Sequence, residues 1–94
     1  MTDDDLLHAL RDCYDPLTRR NVVDLKLVRS ARLTPDHEAP GQLVRFVANI
    51  HLTAPSSDEG ATAQLVAQVE NRLLGLQQIS RVRVTLAPAL FPIL

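Results

Sequence analysis

Hydrophobic and polar positions alternate most plainly in LVRFVANIHLT, residues Leu43 to Thr53. Val44, Phe46, Ala48, Ile50 and Leu52 fall on one side; Arg45, Val47, Asn49, His51 and Thr53 fall on the other. A period of two is the mark of a strand with one buried face. SRVRVTL, Ser80 to Leu86, has the same pattern, with Val82, Val84 and Leu86 set against Arg81, Arg83 and Thr85. The later half of NVVDLKLVRSARL, Asn21 to Leu33, predicts another strand, placing Ala31 and Leu33 on one face and Ser30 and Arg32 on the other. TPDHEAPGQ, Thr34 to Gln42, is dense in turn formers and is expected to join these two strands as a hairpin.

Two segments repeat at helical spacing instead. Leu6, Leu10 and Cys13, joined by Leu7 and Ala9, predict an amphipathic helix over residues 3–13. Thr2 and Asp5 stand at the spacing of a capping box, and Asp15-Pro16 closes the segment, because the residue before proline is pushed out of the helical region. Leu65, Val66, Val69, Leu73 and Leu76 trace one face of a second helix. Ser56 with Glu59 predicts its capping box and Gly75 its C-terminus.

The expected order is α-β-β-α-β within a single domain, residues 1–94. This is an α+β, two-layer arrangement: a three-stranded mixed sheet with two helices on one face. If the strands flanking the second helix are parallel, the crossover is right-handed. The apolar fraction of 46% suffices for one core, but Tyr14, Phe46 and Phe91 are the only aromatic residues. The interior is therefore built from Leu, Val, Ile and Ala.

Net charge is −1, so no global field draws nucleic acid or an anionic membrane. No aromatic residue occupies the outward phase of the clearest strand, where sheet-based RNA binders stack bases. No apolar run approaches the roughly 20 residues of a membrane span. The acidic start MTDDDLLHALRD is unlike a signal peptide, and a single cysteine suits a reducing compartment; a cytoplasmic location is expected. The scattered His8, His37 and His51 have no metal-finger spacing, and no nucleophile–base set or paired carboxylates are visible, so an enzyme is not expected.

Two further stretches carry a resemblance. DPLTRRNVVDLKLV, Asp15 to Val28, is similar to the signature of the MIP18 (DUF59) family, in which Asp-Pro-Glu precedes a variable stretch and then Ile-Val-Asp-Leu-Gly-Leu-Val. LTAPSS, Leu52 to Ser57, resembles that family's Thr-x-Pro-x-Cys turn before the second helix, and APALFP its Pro-Pro-Trp tail. Asp15, Pro16, Val23, Asp24, Leu25, Leu27, Val28, Thr53 and Pro55 keep the pattern. The resemblance implies a compact α+β domain used in iron–sulfur cluster assembly or maturation, acting as carrier, scaffold or adaptor toward client proteins. Three positions depart from it: Leu17 replaces the acid after Asp-Pro, Lys26 replaces the glycine, and Ser57 replaces the cysteine. A left-handed backbone at Lys26 would carry a Cβ penalty. A serine hydroxyl stays protonated near neutral pH and is a poor ligand for iron.

The candidate binding positions are accordingly Asp15, Asp24, Thr53 and Ser57, at a face where the Asp15 loop would meet the Thr53–Ser57 turn. Each has a plainer alternative. Ser56 and Ser57 can simply start a helix, or the free N–H groups there can hold an anion or partner. Asp15 and Asp24 can organise turns or orient a ligand. Cys13 falls on the buried stripe of the first helix. Arg32, Arg45, Arg81 and Arg83 share the helix-free face with Val47, Asn49 and His51, either as a solvated surface or as a partner surface. The expected function is an accessory or adaptor role in iron–sulfur or metalloprotein maturation through protein contact. No resident cofactor is expected, and the partners would be assembly or client proteins, with a homodimer possible. The alternative is a structural or oligomerising module whose apolar tail, Ala87 to Leu94, docks to another subunit.

Overall fold

A computed structural model of the chain describes residues 1–37, 45–55 and 58–87. Five elements follow in the order α1 (Asp3–Leu10), β1 (Val28–Pro35), β2 (Phe46–Thr53), α2 (Glu59–Leu74) and β3 (Ile79–Ala87). β2 is the central strand, antiparallel to β1 and parallel to β3. The arrangement is the predicted α+β fold with a mixed sheet. The hairpin turn falls largely within residues 38–44, and the apolar tail at 88–94; both lie outside the described residues.

Register fixes what shares a face. Ala31 pairs with Ile50 and Ile50 with Val84; Leu33 pairs with Ala48 and Ala48 with Val82. This side of the sheet joins Leu6 and Leu10 of α1 and Leu65, Val69 and Leu73 of α2 in one core cluster. Both helices therefore pack on the same face. Leu6, Leu10, Ala48, Leu52, Leu65, Val69 and Leu73 are fully excluded from solvent, so the aliphatic core anticipated from composition is realised. The opposite face carries Ser30, His51 and Thr85 in one row, Arg32, Asn49 and Arg83 in the next, then Thr34, Val47 and Arg81. Val47 is buried even here, flanked by Thr34 and Arg81.

The helix boundaries differ from the sequence expectation in two places. α1 ends at Leu10 rather than residue 13; Arg11 caps it, and the chain turns so that the Cys13 amide donates to the Leu10 carbonyl (3.0 Å). Cys13 still enters the core, without being helical. At its start, the expected capping box is present: Thr2 Oγ1 accepts from the Asp5 amide, and Asp5 Oδ2 accepts from the Thr2 amide at 2.7 Å. That bond to the Thr2 backbone also lowers the Asp5 pKa, since it favours the carboxylate.

The α2 start is corrected. Its N-cap is Asp58, whose Oδ1 accepts from the Ala61 amide at 3.1 Å, so Glu59 is the first residue of the helix rather than the third. Ser56 itself lies outside the described residues. Asp and Ser cap about equally well, so residue type gave Ser56 no preference over Asp58. Gly75 caps the other end as expected, with φ −70° rather than the left-handed conformation usual for a terminal glycine.

Candidate functional site: the Asp15–Leu27 loop and the end of strand β2

Residues 11–27, between α1 and β1, contain no regular helix or strand, yet much of their backbone is hydrogen-bonded. Asp15 is the one buried charged residue of the described chain, 3% exposed. Its carboxylate accepts from the Leu17 amide (3.2 Å) and from Thr18 Oγ1 (2.9 Å), and its backbone closes the turn through Arg19 N–H to Asp15 carbonyl at 2.8 Å. Asp15 therefore organises its own turn, as aspartate beside proline often does. The turn has Arg19 at φ 61°, a left-handed position held by an L-residue with a side chain.

The next turn gives a physical reason for the motif NVVDLKLV. Asn21 Oδ1 accepts from the Asp24 amide at 2.8 Å, and the Asn21 side-chain amide donates back to Asp24 Oδ2 at 2.8 Å. Asn21, not Asp24, is thus the cap; Asp24 completes the pair. At the far end, the Lys26 amide donates to the Val23 carbonyl and the Leu27 amide to the Val22 carbonyl, each at 3.0 Å. Those two bonds make a Schellman closure, in which the residue after the last helical one turns left-handed. That residue is Lys26, at φ 58°. Between the caps, Val22 is fully buried, with Val23 and Leu27 packed against the core. The motif thus supplies, in chain order, a cap, core contacts, the partner acid, a left-handed exit and a last core contact.

The loop is tied to itself and to α2. The Val22 amide donates to the Cys13 carbonyl (3.0 Å), and Tyr14 bridges to Asn21. Gln68 of α2 grips the Tyr14 backbone from both sides: its Nε2 donates to the Tyr14 carbonyl (2.8 Å) and its Oε1 accepts from the Tyr14 amide (3.2 Å). One turn along, Arg72 pairs with Asp12 at 2.9 Å. The Gln68 grip was not foreseeable, because a glutamine on the polar side of a helix carries no sequence signal. Asn21, three residues before Asp24, did have readable capping spacing.

Of the four candidate positions, the structure joins two regions. Thr53 ends β2, and its amide donates to the Leu27 carbonyl at 2.7 Å, so the Asp24 turn abuts the end of the central strand. Ala54 then donates to the Ala87 carbonyl at 2.8 Å, holding the carboxyl ends of the parallel strands together beside the start of α2. The Asp15 carboxylate spends its bonds within its own turn. Ser57 lies outside the described residues.

The chain's one cysteine is enclosed by the core. Cys13 is fully buried, and burial pushes its thiol up to about 11. Among the described residues no three His, Cys, Asp or Glu side chains are placed to hold a metal ion, and no helix is long and apolar enough to cross a membrane.

The sequence model of a family described as iron–sulfur cluster assembly protein matches residues 3–86. A DUF59 domain of unknown function from Bacillus anthracis is similar in structure, with TM-score 0.70 and 22% identity, over 90% of this chain and 73% of that one. A Mycobacterium tuberculosis protein associated with iron–sulfur complex assembly and repair is also similar. Its TM-score is 0.61 at 28% identity, over 96% of this chain and 69% of that one. No curated protein sequence matches significantly.

Proposed function

This chain belongs to the iron–sulfur cluster assembly protein family, and from that premise we propose that it serves assembly as an adaptor, by protein contact, without carrying a cluster itself. The observation that carries the proposal is the position of its only thiol. Cluster ligation needs thiolates that reach the iron. Cys13 is enclosed by the core and holds its proton well above neutral pH, and the position matching the family cysteine is Ser57. These donors do not fit a cluster.

A contact surface supports the adaptor role. Tyr14 and Leu17, at 47% and 59% exposure, are two of the four large apolar side chains left open among the described residues, and both sit on the Asp15 loop. The Gln68 grip and the Asp15 turn hold that loop's backbone in place, so little ordering would be needed on association. Tyrosine is enriched among the anchors that carry interface energy, and here it stands on a rigid support. Pull-down of cluster-assembly proteins by this chain tests the reading. Leu17→Glu should abolish capture while leaving the melting temperature within about 2 °C, since exposed substitutions change stability little. Undiminished capture by Leu17→Glu and by Tyr14→Ala would reject this surface.

A further inference from the structure

The open face of the sheet has a charge pattern of its own. β1, β2 and β3 together contain no aspartate or glutamate, while they carry Arg29, Arg32, His51, Arg81 and Arg83. The acids of the chain gather elsewhere, with Asp3, Asp4 and Asp5 in the first turn of α1 and Asp58 and Glu59 at the start of α2. Two carboxylates reach the edges of the sheet: Asp3, whose Oδ1 accepts from the Leu33 amide of β1 at 2.9 Å, and Asp36, which accepts from Ser80 Oγ and pairs with Arg81 at 3.6 Å. Asp36 neutralises one end of the face. Among the described residues Arg32 and Arg83, in the neighbouring row, have no acid partner.

Those two rows bound a depression of about 360 Å³, lined by Ser30, Asn49, His51, Arg83 and Thr85 along with Ile50. Register sets its shape. Ser30, His51 and Thr85 lie abreast on three adjacent strands, and Asn49 lies abreast of Arg83 and Arg32. Adjacent strands stand about 4.8 Å apart, so the three side chains of one row span about 10 Å. The Asn49 amide is already committed, donating to Thr34 Oγ1 (3.0 Å) and to the Arg32 and Val47 carbonyls. It forms a fixed floor. The donors that remain open toward the depression are the Arg83 guanidinium, the His51 ring and the hydroxyls of Ser30 and Thr85. These donors come from three hydrogen-bonded strands, so their backbones are already positioned. Arginine with hydroxyl donors, and without a competing carboxylate, is the arrangement that binds oxyanions.

We infer that this depression is a binding site for a tetrahedral oxyanion, a phosphate or sulfate group free or at the end of an ester, with Arg83 as its charged anchor and Thr85, Ser30 and His51 as flanking donors. The site lies on the face opposite the helices and does not depend on the adaptor reading. Its volume admits a phosphate with a small substituent, and its open rim leaves an attached group in solvent.

The test is a nuclear magnetic resonance titration of the whole chain with inorganic phosphate, sulfate and glycerol phosphate at constant ionic strength, with chloride as the reference anion. Saturable shifts confined to Ser30, His51, Arg83 and Thr85, absent with chloride, are expected. Tighter binding of glycerol phosphate than of inorganic phosphate would identify an ester as the natural form, and the reverse would identify the free ion. Arg83→Gln should weaken binding about tenfold or more and Thr85→Val severalfold, with Arg29→Gln unchanged. Both test positions are exposed strand residues whose replacements suit a strand, so the folded spectrum is retained. Linear, unsaturated shifts, equal response to chloride, or binding unaffected by Arg83→Gln would overturn the assignment.

Discussion

Replacing Lys26 with glycine removes a Cβ from a backbone held at φ 58°. The left-handed region costs an L-residue about 1–2 kcal/mol relative to its preferred conformations. Lys26 cannot leave it without breaking the Schellman closure, since the bonds from Lys26 to Val23 and from Leu27 to Val22 both need that exit direction. Leu27 is committed in turn, because its carbonyl accepts from Thr53 at the end of β2. The Lys26 side chain is exposed and makes no hydrogen bond or ion pair among the described residues, so its loss removes no contact of that kind. Against the relief stands the greater freedom of glycine in the unfolded chain, about 0.5–1 kcal/mol. The balance is a gain of about 0.5–1 kcal/mol, where an average replacement by glycine would destabilise. For a domain of this size that raises the melting temperature by about 3–6 °C. Lys26→Ala, which keeps the Cβ, should melt within about 1 °C of the parent, since it retains the left-handed strain. Calorimetry of the three proteins decides it. A Lys26→Gly protein that melts at or below the parent, with Lys26→Ala unchanged, would show that the strain argument fails.

Four further outcomes follow from particular contacts. Arg19→Gly, at φ 61° in the preceding turn, should stabilise for the same reason, measured by urea denaturation. Asp58→Ala should cost about 1 kcal/mol through loss of the α2 cap, whereas Glu59→Gln should cost only a few tenths. Gln68→Ala should destabilise by about 1–2 kcal/mol and raise hydrogen exchange at Tyr14, because two bonds to that backbone are lost together. The Cys13 thiol is raised from 9.0 to about 11, so its contribution is complete below pH 9 and is lost as pH climbs through 11. Urea midpoints should fall over that range by more in the parent than in Cys13→Ala, by an amount on the order of 2 kcal/mol.

The sheet was legible because its strands alternate. Ala48, Ile50 and Leu52 in β2 and Val82 and Val84 in β3 mark one face, and register then places Asn49, His51, Arg83 and their neighbours on the other. Period alone could not say where a strand starts, and β2 begins at Phe46, with Arg45 outside it. The core position of Cys13 was legible from spacing, although the helix expected to carry it stops three residues earlier. The Asp15–Leu27 loop was not legible in detail. Nothing in the chemistry of Arg19 or Lys26 announces a left-handed backbone; only the glycine found in the resembling signature marks position 26 as unusual. The interlock of Asn21 with Asp24 is local, at a spacing the sequence shows; the reach of Gln68 across to Tyr14 arises from tertiary placement, in which a polar side chain finds backbone groups fifty-four residues away.

Anaerobic incubation of the purified chain with ferrous iron, sulfide and reductant, followed by desalting and assay of bound iron and sulfide, bears most directly on the adaptor reading. A chain whose only thiol is enclosed and protonated should retain neither above background, and Ser57→Cys should not alter its capture of assembly proteins. Stoichiometric iron and sulfide on the unaltered protein, with the absorption of a cluster, would contradict the account.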